Sequence, residues 1–226
     1  MTKNDLFENN SDQYEKWFEK YPLVYQSELA IVKTYLPEHG NGLEIGAGSG
    51  RFAIPLGIET GVDPSPQMRK IAKKRGLKVI NGIAENLPFA DDTFDFALMV
   101  TSICFVDDLD ASFREAYRIL KPNGRFIIGF VDKSSDIGRQ YQQHKNESVF
   151  YKSAKFYSTD EVMLHLKKAG FSAFQLGQTI FNQLKDVKDI QPVKKGYGDG
   201  SFVVISALTR NSHKLLLRKE IRVTKE

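Results

Sequence analysis

The sequence contains one cysteine, Cys104, among its 226 residues. A single cysteine excludes an intrachain disulfide and a metal site built from several thiolates. No apolar run approaches the roughly 20 residues that cross a bilayer, and the amino-terminal stretch is polar and acidic where a secretory signal would be apolar. We therefore expect a cytoplasmic protein that binds no metal and has no membrane partner.

The chain also lacks a surplus of charge outside its carboxy-terminal end. The formal net charge is +4, and residues 209–226 hold six basic and two acidic side chains, which accounts for all of it. A body without net charge lacks the electrostatic footprint of a nucleic-acid-binding protein. We therefore expect no nucleic-acid partner, and we interpret residues 209–226 as a basic tail.

Short apolar runs alternate with helical segments, which predicts an α/β fold with a mostly parallel sheet. Residues 11–36 are predicted to be helical, with Ser11 as the amino-terminal cap and an aromatic face at helical spacing. Five strand candidates follow: GLEI, ETGVD, LKVING, FDFALMV and GRFIIGFVD. The final two, FQLGQTIF and GSFVVISAL, are separated by a charged 19-residue loop and lack the crossover helix that a parallel pair needs.

The most informative stretch is LEIGAGSGRF, in which glycines alternate behind an acidic residue: Glu44, Gly46, Gly48 and Gly50. Glycines between a strand and a helix let the backbone approach a ligand closely. The dinucleotide fingerprint would need its third glycine at the position of Arg51. A carboxylate at Glu44 suits a cationic, amino-bearing ligand better than a pyrophosphate. The stretch favours S-adenosylmethionine over a nicotinamide dinucleotide, and a turn that binds no ligand is the alternative.

A second acidic residue, Asp63, ends the short strand in TGVDPSPQM. A carboxylate at the end of the second strand of a doubly wound sheet is placed to accept both hydroxyls of a ribose. The alternative is a cap for the helix that begins near Pro66, but Ser65 suits that position. We therefore predict that Asp63 binds a ribose.

Four motifs in this order resemble the class I S-adenosylmethionine-dependent methyltransferases of the type 11 subgroup: LEIGAGSGRF, GVDPSPQM, GIAENLPFADDTFDFALMV and EAYRILKPNGRFIIGF. The resemblance covers residues 14–208. It implies a Rossmann-like, doubly wound α/β sheet of seven strands, mostly parallel with the last strand antiparallel, and helices on both faces. It also implies one domain, residues 1–208, with a helical lid at 1–36 and a cap insert at 132–157. A first helix of barely two turns is expected over RFAIPLG.

The resemblance implies a cofactor, S-adenosyl-L-methionine, and the residues that hold it. The glycines would flank the methionine part, Glu44 would orient its amino group directly or through water, and Asp63 would hold the ribose. Ile83 stands where many relatives have an aspartate, so the Ala84 amide or the Glu85 carboxylate would serve the adenine edge. The expected cofactor-binding residues are Glu44, Gly46, Ala47, Gly48, Gly50, Asp63, Pro64, Met68, Ala84, Glu85 and Thr101.

In the same family the acceptor is held beneath a lid. The expected substrate or lid residues here are aromatic: Tyr14, Trp17, Phe18, Phe105 and Tyr151. The alternative for most of them is packing against the core, which is the usual role of an aromatic stripe on an amphipathic helix. The one candidate for a catalytic base is His144, and the alternative is a solvated histidine in a loop.

These features predict a methyltransferase that transfers the methyl group of S-adenosylmethionine to a small molecule by in-line displacement. The donor is already activated, so the protein mainly aligns the nucleophile and excludes water. The alternative is a non-catalytic S-adenosylmethionine-binding sensor or partner subunit. Arg51 and Glu44 disfavour a nicotinamide-dependent oxidoreductase. The neutral body and the lack of an N/D-P-P-Y/F motif disfavour a nucleic-acid methyltransferase.

Overall fold

The computed structural model of the protein describes residues 3–210. Within them the strands lie in one sheet: β1 (Gly42–Ile45), β2 (Thr60–Val62), β3 (Lys78–Ile80), β4 (Phe94–Val100), β5 (Leu120–Val131), β6 (Ser172–Thr179), β7 (Lys194–Lys195) and β8 (Phe202–Leu208). The α-helices are α1 (Lys3–Asn9), α2 (Ser11–Lys20), α3 (Pro22–Tyr35), α4 (Pro66–Lys74), α5 (Leu109–Ile119), α6 (Asp136–Gln143) and α7 (Thr159–Ala169). Short 3-10 helices span Ile103–Phe105, Lys145–Glu147, Tyr151–Ser153 and Leu184–Asp186. The predicted basic tail lies outside the described residues, apart from its first two.

The order of strands across the sheet is β3-β2-β1-β4-β5-β8-β6-β7. The five strands from β3 to β5 pair in parallel. The last strand, β8, lies antiparallel between β5 and β6. The predicted Rossmann-like sheet with an antiparallel last strand is confirmed.

The predicted number of strands was wrong, because the sheet has eight strands in the described part of the chain and not seven. The additional strand, β7, lies within the 19-residue loop and pairs Lys194 and Lys195 with Gln178 and Gly177. Two exposed lysines show neither the apolar alternation nor the branched residues that identify a strand. Lysines on an edge strand instead discourage further pairing.

Helices cover both faces of the sheet, as predicted, and two apolar clusters fill the space between them. On one face α5 and α7 pack over the sheet, with Phe113 and Leu166 fully buried. On the other face α3, α4 and α6 contribute to a second cluster, in which Ile31 and Ala72 are fully buried. The sheet is thereby a rigid base for the loops at its edge.

The helix ends follow local sequence signals with two exceptions. Ser65 caps α4, and Ser158 forms a capping box with Glu161 at the start of α7. Ser11 is the first residue of α2 and is buried, so the cap predicted there was wrong and Asn10 occupies that position. The helix predicted over RFAIPLG was also wrong, because this segment forms consecutive turns. Pro55 lacks the N–H that a regular helix would use there.

Helices α1, α2 and α3 occupy the range predicted as a lid, and α6 lies in the range predicted as a cap insert. No helix in residues 3–210 is both long enough and apolar enough to span a bilayer. The division into lid, cap insert and body stays a prediction.

Candidate functional site

The carboxyl ends of the parallel strands open into a cavity of 660 Å³. Gly46 follows β1, Asp63 follows β2 and Thr101 follows β4, and all three line it. Because β2 and β4 lie on opposite sides of β1, the cavity is at the switch point where ligands of doubly wound sheets bind. Its volume falls in the range of about 300–1,000 Å³ that suits a small molecule.

The glycine turn forms one wall of this cavity with bare backbone. Gly46, Gly48 and Gly50 have φ angles of +70°, +53° and +82°, which side-chain-bearing residues rarely adopt. A Cβ at Gly46 would lie 2.6 Å from the Ser102 hydroxyl oxygen, and one at Gly48 would lie 3.3 Å from the Tyr14 hydroxyl. Gly46 and Gly48 line the cavity, whereas Gly50 packs against neighbouring side chains of the fold. A Cβ at Gly46 would therefore clash with Ser102, and one at Gly48 would press against Tyr14, so the turn needs glycine at both positions.

Asp63 joins the second strand to this turn. Its Oδ2 accepts a hydrogen bond from the Gly48 amide at 2.8 Å, and its Oδ1 accepts one from the Ser65 amide at 2.9 Å. Burial raises the pKa of Asp63, and the two backbone hydrogen bonds oppose that shift. Each carboxylate oxygen has more than one acceptor position. Asp63 can therefore accept ribose hydroxyls without giving up its backbone partners.

Glu44 supports the glycine turn from the side away from the cavity. It is 2% exposed, does not line the cavity, and its Oε2 accepts a hydrogen bond from the Ala53 amide at 2.8 Å. Burial raises the pKa of Glu44 to about 8, and the charge of Asp63 adds to the shift. Ala47 and Gly50 also lie outside the cavity wall. The structure thus gives Glu44 a role in shaping the turn, and its contact with an amino group stays a prediction.

The expected adenine side of the cavity is mostly apolar. It is lined by four of the residues predicted to bind the cofactor: Pro64, Met68, Ala84 and Glu85. Ile83 also lines it, with a side chain that is 45% exposed. The Glu85 carboxylate accepts hydrogen bonds from the Asp107 and Asp108 amides at 2.7 and 3.3 Å. Glu85 therefore links this wall to the loop after β4.

Thr101 stands at the end of β4 in a strained conformation. Its φ is +51°, which costs a residue with a Cβ about 1–3 kcal/mol. The Thr101 amide donates to the Gly129 carbonyl at 2.7 Å, and the next residue, Ser102, donates its hydroxyl to the Gly46 carbonyl at 3.1 Å. These bonds fix the chain between the cofactor wall and the rest of the cavity.

Helices α1 and α2 cover the cavity with aromatic side chains. The Phe7 ring lies edge to face against the Phe105 ring at 4.9 Å between centroids, and 5.4 Å from the Phe150 ring. Sequence reasoning missed Phe7, because the seven residues of α1 include two apolar side chains and show no helical period. All the predicted substrate or lid residues line the cavity: Tyr14, Trp17, Phe18, Phe105 and Tyr151.

Carboxylates tie this aromatic cover to the cofactor side. The Glu8 Oε2 accepts hydrogen bonds from the Gln67 amide at 2.9 Å and from the Ser65 hydroxyl at 3.1 Å. The Glu15 carboxylate on α2 accepts hydrogen bonds from the guanidinium groups of Arg51 and Arg75. The first two helices are thus bonded to the glycine turn and to α4.

His144 is not brought to the cavity. It caps the carboxyl end of α6, its side chain is 65% exposed, and its Nδ1 lies 3.1 Å from a Glu147 carboxylate oxygen. A general base must reach the proton that it removes. The position of His144 gives no support to the catalytic role suggested for it. Within residues 3–210 no cluster of three or more His, Cys, Asp or Glu side chains forms a candidate metal site.

The cavity has a volume and lining groups that suit S-adenosylmethionine. Gly46 and Gly48 present bare backbone to it, the carboxylate predicted to bind a ribose, Asp63, lines it, and apolar residues line it as well. The wall contains no feature of a pyrophosphate site built on a G-x-G-x-x-G turn. The site therefore suits a nucleoside without phosphates.

A family profile described as a methyltransferase domain matches residues 43–128. A crystal structure from Thermotoga maritima, described as an S-adenosylmethionine-dependent methyltransferase and possible histamine N-methyltransferase, is 51% identical with a TM-score of 0.90, over 92% of this chain and 100% of that one. An uncharacterised protein of Methanocaldococcus jannaschii is 45% identical over 90% of this chain and 98% of its own length. A ubiquinone/menaquinone biosynthesis C-methyltransferase of Rickettsia felis is 28% identical over 74% of this chain and 84% of its own.

Proposed function

We propose that the methyl acceptor of this protein is a small molecule enclosed in the cavity. The chain belongs to the S-adenosylmethionine-dependent methyltransferases of the type 11 family. One observation carries the proposal: the glycine turn and an aromatic chamber line the same 660 Å³ cavity, which α1 and α2 cover. When bound, S-adenosylmethionine supplies a methyl group that is already activated on a sulfonium. The protein then needs to bind, align and exclude water.

The cofactor side of the cavity provides the binding groups. The backbone at Gly46 and Gly48 admits the methionine part, and the Asp63 carboxylate accepts hydrogen bonds from the ribose. Met68 and the exposed side chain of Ile83 give the adenine an apolar surface. Glu44 acts behind this wall by holding the Ala53 amide.

The acceptor side of the cavity is built from rings on four segments of the chain. These come from α1, α2, the loop after β4 and the region after β5: Phe7, Tyr14, Trp17, Phe105, Tyr141, Phe150, Tyr151 and Phe156. Such rings exclude water and match a small acceptor with apolar or aromatic parts. The hydrogen bonds of Glu8 and Glu15 hold the covering helices against the cofactor side.

The charge of the cavity wall argues against a nucleic-acid acceptor. Three acidic residues of the wall, Asp63, Glu85 and Asp107, outnumber its two lysines, Lys16 and Lys20, and burial raises the pKa of a fourth, Glu28, to about 8. The wall therefore lacks the basic surplus that nucleic-acid binding needs to neutralise phosphates. One similar protein is described as a possible histamine N-methyltransferase and another as a ubiquinone/menaquinone biosynthesis C-methyltransferase, which supports the same preference for a small molecule.

The test is the release of S-adenosylhomocysteine with a panel of small aromatic amines, phenols and quinones, and separately with transfer RNA and with protein. We expect turnover with members of the small-molecule panel, and loss of that turnover in Asp63→Asn. Asp91→Asn is the matched control, because Asp91 is 73% exposed and pairs with Arg118 away from the cavity. Turnover with transfer RNA or protein alone would contradict the proposal.

A further inference from the structure

Helix α3 places a buried carboxyl group in the wall of the acceptor chamber. Glu28 is 4% exposed and lines the cavity. Among residues 3–210, no side chain or amide donates a hydrogen bond to it and no cation pairs with it within 4.0 Å. Other acidic residues of the wall differ, because Asp63 and Glu85 each accept two backbone amides.

Aromatic rings surround this part of the chamber. Tyr21, Tyr141 and Tyr151 line the same cavity, and the Tyr141 and Tyr151 rings lie 4.4 Å apart between centroids. Burial raises the pKa of both, that of Tyr141 to about 12, and the charge of Glu28 adds to the shift in each. These tyrosines are therefore neutral near pH 7, and a neutral ring attracts a cation to a face that no other ring covers.

The arrangement is costly in the absence of a ligand. A carboxyl group taken out of water without a partner destabilises the folded protein, and burial alone raises the pKa of Glu28 to about 8. Of the two lysines that line the cavity, Lys20 is closer to Glu28 in the sequence. Its Nζ lies over the Tyr21 ring, 5.1 Å from the ring centroid. A ligand in the cavity that donates a hydrogen bond to the Glu28 carboxyl group would remove this cost, which explains why the group faces the cavity.

We propose that Glu28 binds the ammonium group of an amine acceptor, which packs against the rings of Tyr21, Tyr141 and Tyr151. The proposal rests on the proposed function and adds the chemical class of the acceptor. Glu28 can also take one proton from the ammonium nitrogen, which leaves a neutral amine with its lone pair and a neutral carboxyl group. An amine must reach that neutral form before its nitrogen can act as a nucleophile.

Proton release provides a readout that does not depend on turnover. Near pH 7 the carboxyl group of Glu28 holds a proton in the unliganded protein, and an alkyl amine in solution is an ammonium ion. Their complex carries one proton fewer than the two separate molecules, wherever the shared proton lies. The other titratable groups that face Glu28 are Tyr25, Tyr141 and Tyr151, and they keep their protons at this pH. Amine binding should therefore release about one proton to the buffer.

The experiment is calorimetry on the full chain saturated with S-adenosylhomocysteine, so that no methyl transfer occurs. The probes are phenethylamine, tryptamine and histamine, each matched with the alcohol of the same skeleton. We expect at least one amine to bind about tenfold or more tightly than its alcohol, as a charge-assisted hydrogen bond provides. Repeating the titration in buffers of different ionisation enthalpy should show the released proton.

Glu28→Gln should abolish both the preference for the amine and the proton release, while the affinity for S-adenosylhomocysteine stays unchanged. Glu19→Gln, at an exposed position of α2, is the matched control and should keep both. Equal binding of amines and alcohols by the wild type, binding of none of the amines, or a preference that survives Glu28→Gln would overturn the proposal. Failure of S-adenosylhomocysteine to bind, or turnover with macromolecules alone, would instead count against the proposed function.

Discussion

The carboxylate of Asp63 accepts a hydrogen bond from the amide of Gly48 at 2.8 Å. The end of the second strand is thereby tied to the glycine turn that follows the first. The same carboxylate lines the cavity, so the group expected to hold the ribose also positions the backbone expected to admit the methionine part. A change at Asp63 should therefore affect both parts of the cofactor site.

We expect Asp63→Asn to weaken S-adenosylmethionine binding by about tenfold to a hundredfold. The amide cannot accept hydrogen bonds at both of its ends, and a hydrogen bond to a charged group contributes about 1.5–3 kcal/mol. Calorimetric titration with S-adenosylmethionine measures the change. Binding within twofold of the wild type would show that Asp63 does not contact the ribose.

Alanine substitutions at two glycines distinguish the effect of backbone strain from the effect of a smaller cavity. Gly48 and Gly57 have φ angles of +53° and +73°, but a Cβ at Gly57 meets nothing within 4 Å. Substitution by alanine at either position should lower the free energy of unfolding by about 1–2 kcal/mol, measured by denaturant unfolding. S-adenosylmethionine binding should fall in Gly48→Ala and stay unchanged in Gly57→Ala. Equal binding by both variants would contradict a close approach of the ligand to Gly48.

Glu15 should hold α2 over the cavity. Burial alone would raise its pKa, but hydrogen bonds from the Arg75 and Arg51 guanidinium groups hold the pKa of Glu15 below its usual value. A carboxyl group whose pKa is lowered by folding stabilises the folded protein at pH values above the pKa of the unfolded chain. That contribution is lost as the pH falls through the pKa of the folded protein. The attachment of the helix should therefore weaken in acid, below a pH of about 4.5.

The single tryptophan, Trp17, lies on the same helix and reports its attachment. We expect Glu15→Gln to increase acrylamide quenching of Trp17 at neutral pH, and to remove most of the change that acid causes in the wild type. Glu19→Gln changes an exposed carboxylate of α2 and should leave quenching as in the wild type. Quenching that is equal in all three proteins would show that Glu15 does not hold the helix.

The buried carboxyl group of Glu28 should make stability depend on pH. Its pKa is raised from 4.5 to about 8 by burial, so the unfolded chain loses this proton at lower pH than the folded protein does. The contribution of Glu28 to stability is therefore largest below the unfolded pKa and is lost as the pH rises toward 8. Glu28→Gln should match the wild type near pH 4 and exceed its free energy of unfolding by on the order of 4 kcal/mol at pH 8.

Denaturant unfolding at several pH values between these limits measures the effect. Glu38→Gln, at an exposed position after α3, should follow the wild type throughout. A variant at Glu28 that is no more stable than the wild type at pH 8 would show that the carboxyl group has a partner in solution.

The sequence predicted which residues would meet at the glycine-turn side of the cavity, because the signals there are local. Gly46 and Gly48 follow a short apolar strand directly, and Asp63 ends the next one, so strand order alone brings them together. The contact of Glu44 with the amino group stays a prediction, because the orientation of its carboxylate depends on the Ala53 amide, nine residues later in a turn that Pro55 keeps from becoming a helix.

The acceptor side was harder to predict because its residues come from distant segments. Glu28 lies in the helical run PLVYQSELAIVKTY, where a single carboxylate reads as part of a solvated face. Only the packing of α3 against the sheet directs it inward. Phe7 belongs to a helix too short to show a period, and β7 exists only through its pairing with β6.

The most direct test of the central claim is the fate of the transferred methyl group. The protein is incubated with S-adenosylmethionine labelled in its methyl group and with a cell extract, and the products are passed through a membrane that retains protein and nucleic acid. If the acceptor is a small molecule, the filtrate should contain a labelled compound other than S-adenosylmethionine. That compound should be absent without the protein and absent with Asp63→Asn. Label that appears only in the retained fraction would contradict the account.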